Sequence, residues 1–257
     1  MIRLLIIVCL TATTLAMAQV PVVETREADK VSFSFETGIA SKYIGERSGK
    51  VYTDNSVLQS ELTVSFPWFD LGIWNSSSFW RQDGKADGDE IDYTISRTDS
   101  IVFIRVEYGA SYYDFAKLFS GTEENAVAIF CEISSHVIMS YIFQRVGYSS
   151  AVGKAENYVR IERDIMTPRS ETEGGTYLTF GTRGFLDMGS FVQIGIDTSV
   201  TRDDGVYGVD PDWIFVNKLS FNLADHQGWT FSPNFTFANP LKGKAETVFG
   251  LSARTEF

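Results

Sequence analysis

The sequence predicts an all-β protein, a transmembrane antiparallel up-and-down β-barrel of about twelve strands. Three observations predict this fold. Apolar and polar side chains alternate along most of the chain, and the chain starts with an export signal. No apolar run after Gln19 has the length of about 20 residues that a membrane-spanning helix needs.

The first eighteen residues have the pattern of a secretory signal peptide. Arg3 is followed by an apolar run from Leu4 to Leu10, and small residues flank Met17 just before Gln19. Because that run is too short for a transmembrane helix, we expect cleavage before Gln19. Residues 19–30 are then a periplasmic N-terminal segment, and residues 31–257 form the outer-membrane barrel domain.

Charge and cysteine content exclude two classes of protein. The formal net charge is −11 and the chain has no concentrated basic patch, so nucleic acid is not an expected partner. The mature chain keeps one cysteine, Cys131, so it is not a disulfide-stabilised secreted scaffold. Its stability must come from strand pairing and burial.

The clearest alternation lies in residues 229–238. One face of this segment is apolar and largely aromatic, while the other is small and polar; the apolar residues are Trp229, Phe231, Pro233, Phe235 and Phe237. Each predicted segment is close to the length of about 9–11 residues that a tilted membrane strand requires. The other segments lie at 31–39, 57–66, 71–81, 90–97, 100–113, 126–134, 137–146, 176–185, 190–200, 212–223 and 246–257.

The predicted connections alternate in length over the first half of the chain. Tight turns are expected at 67–70, 97–100 and 134–136. Long polar loops are expected at GERSGKVYTDNS, RQDGKADGDE, DFAKLFSGTEEN and, further on, RDDGVYGVDPD. Outer-membrane barrels combine short periplasmic turns with longer external loops, and the alternation fits that plan.

The strand count depends on residues 155–165, AENYVRIERDI. Single-chain bacterial barrels have an even number of strands, and counting this segment would give about thirteen. Its charged residues, Arg160, Glu162, Arg163 and Asp164, are also assigned to both faces of the strand. We therefore predict one long external loop over most of 147–175, with about twelve strands and fourteen as the alternative.

The apolar face carries a heavy aromatic load, since the chain has 20 Phe, 11 Tyr and 5 Trp. Aromatic residues gather at both interfaces of outer-membrane barrels. Five aromatic residues lie near predicted strand ends, where they would form aromatic girdles at the membrane interfaces: Tyr43, Trp68, Tyr112, Trp213 and Trp229. These features favour a lipid-facing exterior; a secreted soluble sandwich with an aromatic core is the alternative.

The polar face should line the interior, because an Arg or Lys facing the bilayer centre costs about 2–4 kcal/mol. Besides the residues predicted to line the pore, the inward-facing positions include Glu36, Asp92 and Glu256. An open, hydrated pore and a lumen closed by opposite charges remain equal alternatives. The residues predicted to line the pore are Glu61, Arg105, Glu107, Glu132, Asp197, Lys218 and Arg254.

The first hundred residues resemble the TorF-type porin family. That family opens with a strand bearing Gly, Ser and Tyr, then a Gln-containing strand, a Gly-x-Trp strand and an acidic Glu-x-Asp strand. The matching residues here are Gly38, Ser41, Tyr43, Gln59, Gly72, Trp74, Asn75, Glu90 and Asp92. The chain departs from the pattern after Tyr43, where it has IGERSG instead of an Arg-Gly pair. The resemblance implies an outer-membrane barrel and a porin function.

The sequence shows no set of residues in a known catalytic arrangement, so the protein is not expected to be an enzyme. The two histidines, His136 and His226, lack the serine two residues later that barrel phospholipases and deacylases use. Asp203 and Asp204 belong to a predicted external loop, whereas Asp225 and His226 belong to a periplasmic turn. Groups at opposite ends of a barrel cannot share a water, which excludes an omptin-like site.

No cofactor and no metal site are predicted. The acidic loop at residues 83–90 offers oxygen ligands of the kind that Ca²⁺ prefers. Its spacing does not match the twelve-residue calcium loop, so a solvated acidic loop is the favoured interpretation.

The last segment, VFGLSARTEF, alternates up to a terminal Phe257. We expect it to pair with the first strand, near residues 31–43, and so remove the sheet edge. A terminal aromatic also resembles the signal that barrel-assembly machinery recognises, which makes that machinery and outer-membrane lipid the expected partners.

Together these features predict a protein of the outer membrane of a Gram-negative-type bacterium. Its expected function is a channel for passive diffusion of small hydrophilic solutes. A closed barrel with a structural or adhesive role, acting through its external loops, is the alternative.

Overall fold

A computed structural model describes residues 30–45, 51–79, 89–101, 104–114, 125–138, 152–166, 175–188, 192–204, 212–224 and 228–257. Fourteen strands and no helix are found in these residues. In the same ranges, no apolar helix reaches the length needed to cross a membrane.

Twelve of the described strands close into one barrel, and every strand in it is antiparallel to both neighbours. The predicted fold class is confirmed. The strands are β1 (Ser32–Ala40), β4 (Val57–Ser65), β5 (Asp70–Ser78), β6 (Glu90–Ile101), β7 (Ile104–Asp114), β8 (Asn125–Ile138), β9 (Val152–Met166), β10 (Thr176–Asp187), β11 (Val192–Asp203), β12 (Asp212–Ala224), β13 (Trp229–Pro240) and β14 (Glu246–Glu256). The other two, β2 (Tyr43–Ile44) and β3 (Val51–Thr53), pair with each other between β1 and β4.

The barrel closes where β1 pairs with β14. The register runs from Ser34 opposite Glu256 to Ala40 opposite Gly250. One step further, Phe33 and Phe257 exchange two backbone hydrogen bonds, with N···O distances of 3.1 and 2.8 Å. Because β14 also pairs with β13, the sheet has no open edge. The predicted pairing of the C-terminal segment with the first strand is confirmed.

The connections differ in length at the two ends of the barrel. One end, here called the turn end, carries the short connections at 66–69, 102–103, 188–191 and 225–228, together with the longer one at 139–151. The opposite end, called the loop end, carries the connections at 41–56, 79–89, 115–124, 167–175, 204–211 and 241–245. Apart from the 139–151 connection, short turns at one end and longer loops at the other match the plan of outer-membrane barrels.

The exterior of the barrel is apolar, as the alternation predicts. Phe249 is 62% exposed and Leu251 is 54% exposed, and Phe231 and Phe235 of β13 share this exposed outward face. A contiguous apolar surface is unfavourable in water but suits hydrocarbon. The outward face is therefore matched to lipid.

Two predicted boundaries between residues 126 and 175 are wrong. Residues 134–136, expected to form a tight turn, lie inside β8, where Ser134 pairs with Tyr158 and Ser135 with Asn157. Residues 152–166, expected to belong to an external loop, form β9. The strand predicted at 137–146 lies outside the described residues beyond Ile138. The two errors cancel, so the predicted count of twelve is right for a partly wrong reason.

The charges of β9 explain why that strand was missed. Arg160, Glu162 and Asp164 lie at alternate positions and share the inward face, where Glu162 and Asp164 are buried. Only Arg163 faces outward among the charges that had been assigned to both faces, and it lies near the loop end of the strand. A long cationic side chain near a strand end can extend to the polar interface. The charges therefore do not exclude a membrane strand.

The tight turn expected at 97–100 is also wrong. These residues continue β6, with Arg97 opposite Tyr108 and Ser100 opposite Arg105 of β7. Arg97 and Asp99 form an ion pair with an N···O distance of 2.9 Å near the turn end of the strand. Charged side chains near a strand end were therefore mistaken for a turn.

Candidate functional site

The interior of the barrel is the candidate functional site, and the strand register identifies the residues that face it. Cross-strand partners point to the same side of a sheet. Glu61 and Lys218 line a cavity inside the barrel, and Arg254 lines a second cavity. Asp197 is the register partner of Lys218 and therefore shares its face. These four predicted residues lie on the lumen face.

The other three predicted residues lie on the β7–β8 side of the lumen. Arg105 and Glu107 form an ion pair with an N···O distance of 3.3 Å. Glu107 is the register partner of Glu132, and Arg105 is that of Ser134. Glu132 in turn binds Arg183 from β10, which places the whole group inside the barrel. The contribution of all seven residues to conduction stays a prediction.

Arg183 is the centre of an ion-pair network across β8, β9 and β10. Its Nη2 donates to Glu132 over 2.6 Å, and its Nε donates to Glu156 over 2.9 Å. Arg160 donates to Glu162 over 3.1 Å and lies 3.8 Å from Glu132. Because these carboxylates are largely buried, the two guanidinium groups offset their desolvation.

Aromatic rings flank both arginines of the network. The guanidinium carbon of Arg160 lies 4.1 Å from the ring centre of Phe130, and that of Arg183 lies 4.9 Å from the ring centre of Tyr158. A Cβ added at Gly181 would lie 2.3 Å from Cζ of Tyr158, so the tyrosine ring occupies the space over that glycine. The β8–β10 side of the lumen is thus filled by paired charges and rings.

The β2–β3 hairpin folds onto the inner wall at the loop end. Ile44 is buried together with Ile214 and Val216 of β12, Ala238 of β13 and Val248 of β14. Val51, on the other arm of the hairpin, packs against the same cluster. Inward positions of β12–β14 near the loop end are therefore apolar because they receive the hairpin. The sequence predicted only a long external loop in this region.

The other side of the hairpin contacts β5 and β6. The Tyr43 ring stacks on Tyr52 with 5.0 Å between ring centres, and it lies 5.6 Å from the ring centre of Trp74. Its hydroxyl donates a hydrogen bond to the Glu90 carboxylate. Burial, reinforced by the Glu90 charge, raises the pKa of Tyr43 well above its ordinary value. Tyr43 therefore anchors the hairpin as a neutral phenol.

The expectation that Tyr43 belongs to an aromatic girdle is wrong. Its position near a strand end predicts an interfacial ring, but the chain turns inward after β1 and carries the ring into the barrel mouth. Trp213 and Trp229 lie on the outward faces of β12 and β13, as their alternation with inward-facing residues requires. Trp68 lies in the 66–69 turn and is 75% exposed.

An ion pair also ties the start of the hairpin to β14. Lys42 Nζ lies 2.8 Å from a Glu246 carboxylate oxygen and 3.3 Å from one of Asp54. The hydrogen bond to Glu246 raises the pKa of Lys42 above its ordinary value. Lys42 therefore remains charged while it bridges the hairpin and the barrel wall.

Two cavities lie between the described residues of the lumen. The larger, of about 520 Å³, is bordered by the hairpin and by residues from strands all around the barrel. The smaller, of about 300 Å³, lies toward the turn end and is lined by residues of β1, β4 and β14. Glu36 and Glu61 line both cavities. The two carboxylates therefore stand where the cavities meet on the β1–β4 wall.

Several residues of the interior were missed by sequence reasoning. Arg183 and Trp74 were detectable, because each alternates with outward apolar neighbours in a predicted strand, such as Phe180 before Arg183 and Ile73 before Trp74. Glu156 was lost when its segment was assigned to a loop. The pairing of these side chains depends on register, which one sequence does not display.

No metal-ligating group of side chains is found among the described residues. Asp89 is engaged by the protein itself, since its carboxylate accepts a hydrogen bond from the backbone N–H of Ser78. Most of the acidic loop at 83–90, the side chain of His136, and all of Asp225 and His226 lie outside what the structure describes. The expectation that the chain is not an enzyme stays a prediction.

No protein-family profile and no curated protein matches the chain. Among solved structures, the NanC porin is similar with a TM-score of 0.54 and 8% identity, over 87% of this chain and 98% of that one. The β domain of the Bordetella autotransporter BrkA is similar with a TM-score of 0.52 and 12% identity, over 89% of this chain and all (100%) of that one. At these identities the similarity shows a shared barrel fold. Membership of the TorF-type family stays a prediction.

Proposed function

We propose that the protein is a channel of the bacterial outer membrane through which small hydrophilic solutes diffuse passively. The observation that carries the proposal is the pair of polar cavities, of about 520 and 300 Å³, that share Glu36 and Glu61 inside the closed barrel. A polar interior within an apolar exterior is the arrangement that lets water and solutes enter a barrel while lipid surrounds it.

The proposed location follows from the wall and from the ends of the barrel. The outward face is apolar, and short turns at one end oppose longer loops at the other. In the proposed orientation the turn end faces the periplasm and the loop end faces the exterior. The paired terminal strand ending at Phe257 is the proposed contact with barrel-assembly machinery.

The hairpin and the ion-pair network set the size of the solutes. The network fills the β8–β10 side of the lumen, and the hairpin occupies part of the mouth next to β12–β14. The remaining passage leads from the larger cavity, which is bordered by strands all around the barrel, into the smaller cavity beside β1, β4 and β14. A narrow passage of this kind suits ions and small solutes better than oligosaccharides or peptides.

Liposome swelling tests the proposal. Vesicles containing the purified protein should swell in isotonic solutions of the smallest neutral solutes, such as glycerol, and should swell progressively more slowly as solute size increases. Fractionation of the expressing bacterium should place the chain in the outer membrane. Vesicles that hold correctly folded barrels but take up no solute of any size would contradict the channel function.

A closed barrel is the second candidate, favoured by the same network and hairpin. If paired charges and the hairpin block the lumen, the protein would act only through its loop end. The swelling assay separates the candidates, because a closed barrel leaves the vesicles as tight as vesicles without protein.

A further inference from the structure

We propose that Glu36 and Glu61 make the lumen selective for cations, so that small positively charged solutes pass more readily than anions. The inference rests on the proposed channel function. It concerns which solutes pass, whereas the proposed function concerns whether anything passes.

The position of the two carboxylates is the first argument. Glu36 in β1 and Glu61 in β4 are direct register partners on adjacent strands, so both side chains point into the lumen at one height. They are also residues that line both cavities. A solute that moves from one cavity to the other along this wall therefore passes beside both carboxylates.

The charge at this position is the second argument. Like charges placed directly opposite each other on adjacent strands destabilise a sheet. Among the described residues, none forms a hydrogen bond or an ion pair with the Glu36 carboxylate. Arg254, which faces Glu36 from β14, instead donates to Glu256 over 2.6 Å. The negative charge of Glu36 thus remains directed at the lumen.

The opposite side of the lumen provides the contrast. Glu132, Glu156 and Glu162 each have an arginine partner, so the field of that cluster is largely cancelled within it. With the paired Glu162 left aside, acidic residues still outnumber basic ones in the lining of the larger cavity, with Glu36, Glu61, Glu90 and Asp92 against Lys42 and Lys218. Fixed negative charge in a narrow aqueous passage favours cations and repels anions.

The test is the reversal potential of the full-length protein in planar bilayers under a KCl gradient. The wild-type protein should pass K⁺ in preference to Cl⁻. In Glu36→Gln and Glu61→Gln the permeability ratio should fall by about fivefold for each charge removed, the factor given by about 1 kcal/mol for a unit charge at about 4 Å in water. The double variant should be close to non-selective while it keeps its current steps.

Asp204→Asn is the matched control, because it also removes one negative charge but from an exposed side chain beyond the end of β11. Its permeability ratio should equal that of the wild type. Heat-dependent migration on a gel shows whether each variant is folded. If the double variant does not fold, the permeability ratio of Glu36→Gln alone tests the inference.

Three results overturn the inference. Current steps with a wild-type preference for Cl⁻, or a preference for K⁺ that the double variant keeps, contradict cation selection by this pair but leave the channel function standing. A complete absence of steps from folded wild-type protein overturns the proposed function, and cation selection with it.

Discussion

Arg183 of β10 reaches past β9 to donate a hydrogen bond to Glu132 of β8, with 2.6 Å between Nη2 and Oε1. The same guanidinium binds Glu156 of β9, so one side chain ties three strands together. Glu132 has only 6% of its side chain exposed, so its charge needs compensation, which Arg183 supplies at 2.6 Å and Arg160 at 3.8 Å. Arg183 therefore contributes to the stability of the β8–β10 wall.

Replacing Arg183 with Met should destabilise the barrel by about 3–5 kcal/mol, because two largely buried carboxylates would lose a partner. The midpoint of urea unfolding in detergent measures the effect. Arg254→Met is the control, since the Arg254–Glu256 pair is exposed and such pairs contribute about 0–1 kcal/mol. Equal midpoints for the two variants would show that the network does not stabilise the wall.

Gly109→Ala should destabilise the barrel, because the strands approach closely at that glycine. An added Cβ would lie 2.2 Å from the backbone oxygen of Ile95, and backbone cannot move aside as a flexible side chain can. Overpacking of this kind costs about 1–3 kcal/mol. The temperature at which the folded gel band converts to the unfolded band measures the loss of stability.

Gly72→Ala is the matched control for Gly109→Ala. The nearest atom to its added Cβ is 3.7 Å away, in ordinary van der Waals contact, and Gly72 also lies on a lumen-facing position of a barrel strand. The Gly72→Ala variant should unfold at the same temperature as the wild type or at a slightly higher one. If Gly109→Ala proves as stable as Gly72→Ala, the close approach has no energetic role.

Ile44→Asp should release the hairpin from the wall. Ile44 is 7% exposed and packs on Ile214 and Val248, so a carboxylate there would be buried without a partner. The mouth would widen, and single-channel conductance should rise. Ile44→Val keeps the apolar contact and should retain the wild-type conductance. An Ile44→Asp channel with unchanged conductance would show that the hairpin does not narrow the passage.

Tyr43 should ionise only above its usual pKa of about 10, because burial raises its pKa in the folded protein. The stabilisation by its neutral hydroxyl is complete below the unfolded pKa and is lost as pH rises through the raised value. Tyrosinate absorbance of wild type minus that of Tyr43→Phe isolates this group. The difference should appear on the alkaline side of the ordinary range; a difference centred near pH 10 would contradict the anchored hairpin.

The outward face was predictable from sequence, whereas the organisation of the interior was not. Lipid imposes a strict apolar period on the outward positions of strands such as β13, and that period is visible in a single chain. The inward positions accept charge, rings or apolar side chains. In β9 the inward Arg160, Glu162 and Asp164 fit a polar lumen face, and the outward Arg163 is the residue that breaks the alternation and conceals the strand.

The position of the β2–β3 hairpin inside the barrel was also not predictable from the sequence. Nothing in the local pattern around Tyr43 and Ile44 distinguishes a loop that projects outward from one that folds into the barrel. The decisive partners, Trp74 and Val248, lie far away in the chain and become neighbours only after closure. The same holds for Glu36 and Glu61, whose opposition depends on the register of β1 with β4.

Planar-bilayer recording of the wild-type protein tests the channel function most directly. Folded barrels, identified by heat-dependent gel migration, should produce discrete current steps of uniform size in KCl. A membrane that stays silent while it contains folded wild-type barrels would contradict the proposed channel.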